Sequence, residues 1–269
     1  VLSDPLRDLR ALPASLRNDE VTFTDKVRTL LLRQHVDTRT ESEVFRSADR
    51  SIRSYLREWG FSEGYIDNFV APFYGGITLD RSLSTSKRVF EYTFKSLSDG
   101  RIAVPAAGMN AIPQQLADRA RDSGASIRLS KRVESVTDHG DGVSVETDSE
   151  TISADALVVA TDPKEAARLT DVDAIPTDAR GCVTQHYRLP ASVAPTTRRK
   201  LLLNAGDPSP NTIVPMSEVA PEYAPEGEAL FNATFLGEGA FDREAGALAD
   251  ETRLTLESWY PDRDFSDLD

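Results

Sequence analysis

The side chains that most often carry chemistry are few and scattered in this chain. Cys182 is the single cysteine, and His35, His139 and His186 are too far apart in sequence to form an HxxxH pair. A single cysteine excludes an internal disulfide and a multi-cysteine metal cluster. Because Cys182 lies in a run of alternating apolar residues, we expect it to be a core thiol. The sequence therefore predicts no metal site and identifies no catalytic residue.

Holding a cofactor is the chemistry that best fits residues 99–163. The apolar run at 156–160 predicts a strand buried on both faces, and Thr161 follows it directly. Ligands of open α/β sheets bind beyond the carboxyl ends of the strands. We therefore consider the Thr161 hydroxyl and the Ala160 backbone as candidate cofactor contacts. The alternative for Thr161 is a turn residue before Asp162-Pro163.

A group of aromatic side chains could form a substrate site. Tyr65, Phe69, Phe73 and Tyr74 lie close together before Gly75-Gly76, and they could line a tunnel for a small apolar substrate. Core packing is the more frequent use of such a group. A tight turn between helices is the alternative for residues 73–76.

Helices should make up most of residues 1–100. Helical spacing and capping residues predict one helix from Thr24 and one that begins after Ser47 or Asp49. A third should begin at Ser62 and end at Pro72, and a fourth should cover residues 84–97. A turn is expected at 99–101.

The centre of the chain should be mixed α/β, and the last part an antiparallel sheet. Alternation predicts strands at 102–104, 127–129, 133–136 and 143–145, with a hairpin turn at 138–142. Gly108 and Met109 should start a helix whose dipole could face a bound cofactor; close packing of the helix against a strand also explains the glycine, and we favour packing. Pro163 should begin another helix. Later strands are predicted at 182–189, 200–204, 211–216 and 229–236, followed by a helix over 242–259 and a frayed acidic tail.

The composition is strongly acidic. Asp and Glu number 44 against 31 Lys and Arg, which gives a net charge of −13, and only six of the basic residues are lysines. Concentrated salt screens the self-repulsion of such a chain. We therefore interpret the composition as halophilic, with an ordinary acidic bacterial protein as the alternative. We expect no nucleic-acid partner, because phosphates require a basic surface.

Targeting signals are absent from the printed sequence. No cationic, apolar signal sequence opens it, and its apolar runs are too short to span a bilayer. We therefore expect a cytoplasmic protein. The sequence leaves peripheral membrane contact and the oligomeric state open.

Segments of the chain, in order, resemble the flavin-containing amine oxidase superfamily, especially its phytoene desaturase-like and protoporphyrinogen oxidase-like members. Residues 105–112 (PAAGMNAI) are similar to its P-x-G-G-M-x-x-L turn and helix, with Ala107 in place of the first of two glycines. Residues 132–136 (RVESV) are similar to its adenine-side strand. Residues 154–163 (ADALVVATDP) are similar to its A-D-x-V-V-V-A-T-x-P strand and turn. The helical residues 59–86 also resemble the substrate-domain helices of phytoene desaturases.

The resemblance implies an FAD-dependent oxidoreductase of fold class α+β. A helical plus antiparallel-sheet substrate domain, residues 1–100 and 166–269, would be interrupted by the middle piece of an FAD-binding α/β domain, residues 101–165. Val133 would offer its backbone to the adenine ring, and a plain strand residue is the alternative. The substrate would be an apolar isoprenoid or a tetrapyrrole-like compound.

The main departure from the family concerns the ends of the FAD domain. The family opens with GxGxxG, which this chain lacks, and closes with a Gly-Asp flavin-binding segment that would lie beyond residue 269. FAD is therefore expected for the full-length protein and could be absent here. On this hypothesis the chain is an incomplete fragment that is inactive by itself. The alternative is a non-enzymatic binding or interaction module, derived from the substrate domain and without flavin.

Overall fold

The computed structural model of the chain describes residues 22–99, 102–207 and 209–269, which form two compact units. The first unit contains the residues up to Gly108 together with Arg180–Asp269, and the second contains Met109–Ala179. The predicted turn at 99–101 and the helical content predicted before residue 22 lie largely outside the described residues.

The helices of the first unit begin at hydroxyl caps. The side-chain oxygens of Thr22, Thr40, Ser51 and Ser62 each accept a hydrogen bond from the backbone N–H three residues later. The elements are α1 (Phe23–Asp37), α2 (Glu41–Arg46), α3 (Ile52–Glu58), α4 (Glu63–Tyr65), a π-helical turn (Ile66–Val70), α5 (Ala71–Thr78) and α6 (Lys87–Asp99).

The predicted helix boundaries need three corrections. Helix α1 is capped by Thr22 rather than Thr24, because Asp25 forms a reciprocal capping box with it. Helix α3 is capped by Ser51 instead of Ser47 or Asp49. Pro72 does not end its helix: it lies in the first turn of α5, directly after the π-helical turn, where a proline needs no intrahelical N–H bond. Helix α2 was not predicted from the sequence.

The rest of the first unit is an antiparallel sheet covered by one long helix. Its strands are β4 (Cys182–Pro190), β5 (Leu202–Leu203), β6 (Thr212–Pro215) and β7 (Glu228–Leu236), in the order β4-β7-β6-β5. The inner face of the sheet packs its apolar side chains against helix α10 (Ala245–Trp259). Along the chain, α9 (Met216–Val219) and a 3-10 turn at Pro221–Tyr223 connect β6 to β7, and a second 3-10 turn at Glu238–Ala240 follows β7.

The acidic tail of the chain is ordered by packing, so the prediction of a frayed end is wrong. Phe265 is fully buried in the core beneath the sheet. The backbone N–H of Arg188 donates to the carbonyl of Asp269 at 2.7 Å, and the Asp269 N–H donates back to Arg188. Asp269 therefore pairs with Arg188 along the edge of β4 that does not face β7.

The second unit is a β-meander with a helix on each side of it in sequence. Its elements are α7 (Ala111–Asp122), β1 (Val133–Asp138), β2 (Val143–Thr147), β3 (Thr151–Ala154) and α8 (Pro163–Thr170). All strand pairs are antiparallel in the order β1-β2-β3, and Asp138 pairs with Val143 across the predicted hairpin turn. With the helices and sheets of the first unit, this arrangement confirms the α+β class.

The predicted buried strand at 156–160 is wrong. In the part of the chain that the structure describes, these residues belong to no strand, and Val158 is 86% exposed. Residues 102–104 and 127–129 also form no strand, with Ile102 and Leu129 more than three-quarters exposed. A parallel strand needs neighbours for its backbone groups and cover for both faces. The described residues of the second unit supply neither.

No helix among the described residues has both the length and the apolar character required to cross a bilayer.

Candidate functional site

Val133, the predicted adenine contact, begins the edge strand β1 and is half-buried. Its carbonyl accepts a hydrogen bond from Nη2 of Arg168 at 3.0 Å, and the carbonyl of Glu134 accepts one from Nη1 at 2.8 Å. Arg168 lies on α8, where it also pairs with Glu165 and lowers the pKa of that carboxyl. The first two backbone acceptors of β1 are therefore already bound to the neighbouring helix.

Ala160 and Thr161 lie exposed in the irregular segment that leads into α8. The Thr161 hydroxyl donates to the carbonyl of Asp162 at 3.3 Å. The Asp162 carboxylate caps α8 by accepting from the N–H groups of Lys164 and Glu165. Because this carboxylate occupies the start of the helix, the α8 N-terminus does not offer those donors to a phosphate.

Gly108 has a different role from the predicted close packing. Its φ is +84°, and a Cβ built on it would meet no atom within 4 Å. The glycine therefore serves the backbone conformation that precedes α7, and the packing prediction is wrong.

These residues fit one part of an FAD site. The edge strand at Val133 can present backbone groups to an adenine, as in the prediction. The sequence contains no GxGxxG, and the Asp162 carboxylate caps α8, so neither a glycine-rich turn nor the α8 N-terminus offers a pyrophosphate site.

The four aromatic candidates divide into two pairs. Tyr65 and Tyr74 are core residues, 6% and 5% exposed, and burial raises the pKa of both; that of Tyr65 rises to about 12. Phe69 and Phe73 are half-buried and stack in parallel with ring centroids 5.7 Å apart. Phe69 lies on the π-helical turn and Phe73 on α5, so that irregular turn sets their spacing. Their contact with a substrate stays a prediction.

A polar cluster missed by sequence analysis fixes α5 against the sheet. Asn211 is fully buried, and its Nδ2 donates to the carbonyl of Pro72 at 3.0 Å. Its Oδ1 accepts from Nη1 of Arg81 at 3.2 Å, and the same Nη1 donates to the carbonyl of Asn204 at 2.9 Å. Desolvation lowers the pKa of Arg81. Contacts over such long sequence separations leave no signal in the sequence.

A second buried cluster joins the helices. Glu91 is fully buried, and its carboxylate accepts from the Tyr55 hydroxyl at 2.6 Å, from Lys87 at 3.2 Å and from Arg39 at 3.3 Å. Burial and the bond to Glu91 raise the pKa of Tyr55. Tyr55 lies on α3, Lys87 on the preceding turn of α6 and Arg39 in the loop between α1 and α2, so the cluster acts as a structural link. Within the described residues, no group of three His, Cys, Asp or Glu is arranged to hold a metal ion.

Asn232, on strand β7, has a buried polar atom without a hydrogen bond among the described residues. Its Oδ1 is buried, and no hydrogen-bond donor reaches it in the described part of the chain. An unsatisfied buried acceptor costs about 1–3 kcal/mol. The sequence offers little to single out Asn232, because it shows only one amide side chain in a strand whose other face is apolar.

Two surface clefts of the first unit lie away from the aromatic candidates. One of about 760 Å³ is lined by the ends of β4 and β7 and by the tail residues 266–269. Another of about 240 Å³ lies beside α9. Neither is lined by any of the four aromatics.

A family model and a curated relative both place this chain among flavin-dependent oxidoreductases. The family model "Flavin containing amine oxidoreductase" matches residues 3–268. A phytoene dehydrogenase of Streptomyces griseus is 28% identical over 162 residues, which is 55% of this chain and 31% of that protein. The chain thus spans about a third of the length of this curated relative.

Solved structures show the same fold. An oxidoreductase from Methanosarcina mazei superposes with a TM-score of 0.70 at 16% identity, covering 96% of this chain and 60% of that chain. A double mutant of putrescine oxidase gives a TM-score of 0.62 at 15% identity, covering 88% and 58%. Reduced UDP-galactopyranose mutase gives 0.59 at 12% identity, covering 92% and 58%.

Proposed function

The chain belongs to the flavin containing amine oxidoreductase family, and from this premise we propose that it is part of an FAD-dependent oxidoreductase. FAD is the cofactor implied by the family and by its flavoenzyme neighbours. The observation that carries the proposal is the family match through residues 3–268, because it includes both units.

The second unit would be the middle piece of the FAD-binding domain, and the first unit the substrate domain. Val133 would hold the adenine through its backbone, and Ala160 and Thr161 would approach the cofactor from the segment before α8. When bound, the isoalloxazine ring would supply the capacity to accept a hydride from a substrate C–H bond, as the adjacent C–N or C–C single bond is oxidised to a double bond. The residues of the first unit would bind and orient the substrate and exclude water.

Exposed apolar side chains of the second unit support this assignment. Leu116 on α7 is 61% exposed, and Leu129 and Val158 are 78% and 86% exposed. Each side chain of this size would be stabilised by removal from water. These side chains suit a domain whose sheet is completed by residues outside this chain, and the 60% coverage of a similar structure agrees with that view.

The substrate we propose is an apolar isoprenoid or a tetrapyrrole-like compound. Similarity to a phytoene dehydrogenase supports the isoprenoid, and the half-buried pair Phe69 and Phe73 offers an apolar surface for either. Putrescine oxidase has the same fold, so the fold alone does not choose the substrate.

The second candidate function is a binding module without flavin. It is favoured by the missing GxGxxG and by the Asp162 cap of α8, which together leave the pyrophosphate without a site in this chain. We extend either proposal to a cytoplasmic protein adapted to high salt that has no nucleic-acid partner, on the basis of its net charge of −13.

Flavin content distinguishes the two functions. The purified chain and the product of its complete reading frame would each be titrated with FAD, and bound flavin followed by its visible absorption and fluorescence. We expect the complete product to bind FAD, and its bound flavin to be reduced by the substrate. We expect this chain alone to bind FAD weakly or not at all. A complete product that stays colourless after reconstitution would contradict the oxidoreductase proposal and support the module.

A further inference from the structure

The start of strand β1 contains a β-bulge. In the register of β1 with β2, Val133 pairs with Thr147 and Ser135 pairs with Glu146, so Glu134 is an extra residue between them that pairs with no residue of β2. A bulge leaves the extra residue unpaired and disrupts the ladder locally. The backbone at residues 133 and 134 is therefore held by something other than the regular ladder.

The backbone groups of Val133 face the open edge of the sheet. Beside it, the N–H of Asp148 donates to the carbonyl of Arg132 at 3.3 Å, so the ladder bond at this position joins those two residues. Bonded and non-bonded pairs alternate along an antiparallel ladder. The N–H and C=O of Val133 consequently point away from β2, and among the described residues β1 has no strand on that side.

A single arginine of α8 binds both carbonyls of the bulge. Nη2 of Arg168 donates to the carbonyl of Val133 at 3.0 Å, and Nη1 donates to the carbonyl of Glu134 at 2.8 Å. The Glu165 carboxylate accepts from Nε and Nη2 of the same guanidinium and holds it in this orientation. A planar guanidinium presents its donors in a fixed fork, whereas a lysine ammonium is a single point charge. The fork of Arg168 therefore fixes the direction of the bulged backbone.

We propose that Arg168 is a positioning residue for the adenine of FAD. By holding the two carbonyls of the bulge, it keeps the N–H and C=O of Val133 directed to the open edge, where they bind the base. The amino group of adenine donates hydrogen bonds and its ring nitrogens accept them, and the Val133 carbonyl has a second lone pair beside the one that Arg168 uses. The inference rests on the proposed function, to which it adds the side chain that sets recognition of the base.

Two dinucleotides that differ only at the adenine edge test this role. The product of the complete reading frame, stripped of flavin, would be titrated with FAD and with its etheno derivative, in which the amino group and the adjacent ring nitrogen are blocked. Flavin fluorescence would give both dissociation constants for the wild type, Arg168→Met, Arg168→Lys and the control Arg128→Met. Arg128 is a matched control because it also forms an exposed ion pair in the second unit, with Glu150 at 2.8 Å.

The expected results separate the fork from the charge of Arg168. The wild type and Arg128→Met should prefer FAD about ten-fold, equal to about 1.4 kcal/mol. Arg168→Met should bind the two dinucleotides nearly alike, because the bulged backbone is no longer held. Arg168→Lys keeps the positive charge but lacks the fork, so it should resemble Arg168→Met. Hydrogen exchange at the amides of residues 133–135 should be faster in both Arg168 variants of this chain alone, a measurement without flavin.

Four results would overturn the inference. They are a wild type that binds both dinucleotides equally, an Arg168→Met variant that keeps the preference for FAD, an Arg168→Lys variant that restores it, and unchanged hydrogen exchange at residues 133–135. Failure of the proposed function has a different result: the complete product then binds neither dinucleotide, whatever the exchange rates in this chain. The two failures are therefore distinguishable.

Discussion

The carbonyl oxygen of Val133 accepts a hydrogen bond from Nη2 of Arg168 at 3.0 Å, which attaches the first residue of β1 to helix α8. The backbone that we predict to hold an adenine is thereby fixed in place before any cofactor arrives. A carbonyl has two lone pairs, so the bond to Arg168 leaves one acceptor site on that oxygen. The N–H of Val133 is the other backbone group that an adenine could use.

Replacing Val133 by proline tests this backbone contact. Proline removes the N–H, and it is tolerated as the first residue of an edge strand, which is the position of Val133. Loss of one hydrogen bond of about 1 kcal/mol should weaken FAD binding about five-fold. Fluorescence titration of the FAD-binding protein would measure it, with circular dichroism as a check on folding. Val133→Ala keeps the N–H and should bind like the wild type; equal affinity of the proline variant would refute the contact.

The buried hydroxyl of Tyr65 predicts a loss of stability at high pH. An unfolded tyrosine titrates near pH 10, whereas burial raises the pKa of Tyr65 to about 12 in the folded chain. The folded state holds the proton more tightly, so this stabilisation is complete below pH 10 and is lost as the pH rises from 10 to 12. A pKa difference of about two units corresponds to a loss of at most about 3 kcal/mol in the free energy of unfolding.

Urea unfolding of the wild type and of Tyr65→Phe at pH 9, 10 and 11 would measure that loss. The wild type should lose stability more steeply than the variant over this interval, because the variant has one fewer buried hydroxyl to titrate. Burial also raises the pKa of Tyr74, so the variant should retain part of the slope. Parallel curves for the two proteins would contradict the assignment to Tyr65.

The cluster around Glu91 predicts a large effect from Lys87→Met. Lys87 and Glu91 are 7% and 0% exposed, and their charged atoms lie 3.2 Å apart. Removing one partner of a buried pair leaves the other charge uncompensated, which costs about 3–5 kcal/mol; Arg39 at 3.3 Å should keep the loss near the lower value. Urea unfolding measures it. The exposed Lys164→Met is the control and should stay within about 0.5 kcal/mol of the wild type.

The net charge of −13 predicts that salt stabilises this protein. At 0.15 M salt the Debye length is about 8 Å, and it falls below about 3 Å above 1 M, so repulsion among the acidic side chains is then largely screened. The melting temperature should rise by several degrees between 0.1 and 2 M KCl. Sucrose of equal osmolality is the control for non-ionic effects. A melting temperature that does not change with the KCl concentration would contradict the halophilic interpretation.

Elements encoded by nearby residues could be predicted from the sequence. The cap at Ser62, the hairpin between β1 and β2 and the alternating strand β7 all depend on local patterns, and the structure contains each of them. The strand predicted from the apolar run at 156–160 was wrong, because its formation depends on residues that are not nearby in the sequence. Its pattern is that of a buried strand, but burial depends on neighbours that the described residues do not provide.

The candidate site was less predictable, because its contacts join residues far apart in the chain. Nothing near Pro72 in the sequence indicates that Asn211 donates to its carbonyl. The bond from Arg168 to Val133 likewise spans 35 residues. The unpaired oxygen of Asn232 is a property of its surroundings, and a strand pattern records which side a residue takes but not which donors reach it.

Gly76 should be intolerant of a side chain because α5 approaches the sheet there. A Cβ at Gly76 would lie 2.9 Å from Nδ2 of Asn211, the atom that donates to the carbonyl of Pro72. Gly76→Ala should therefore displace this buried amide and cost about 1–3 kcal/mol. Gly246→Ala is the matched control on α10: no atom lies within 4 Å of a Cβ there, so alanine should stabilise by up to about 1 kcal/mol. Urea unfolding measures both, and equal effects of the two substitutions would contradict a close approach at Gly76.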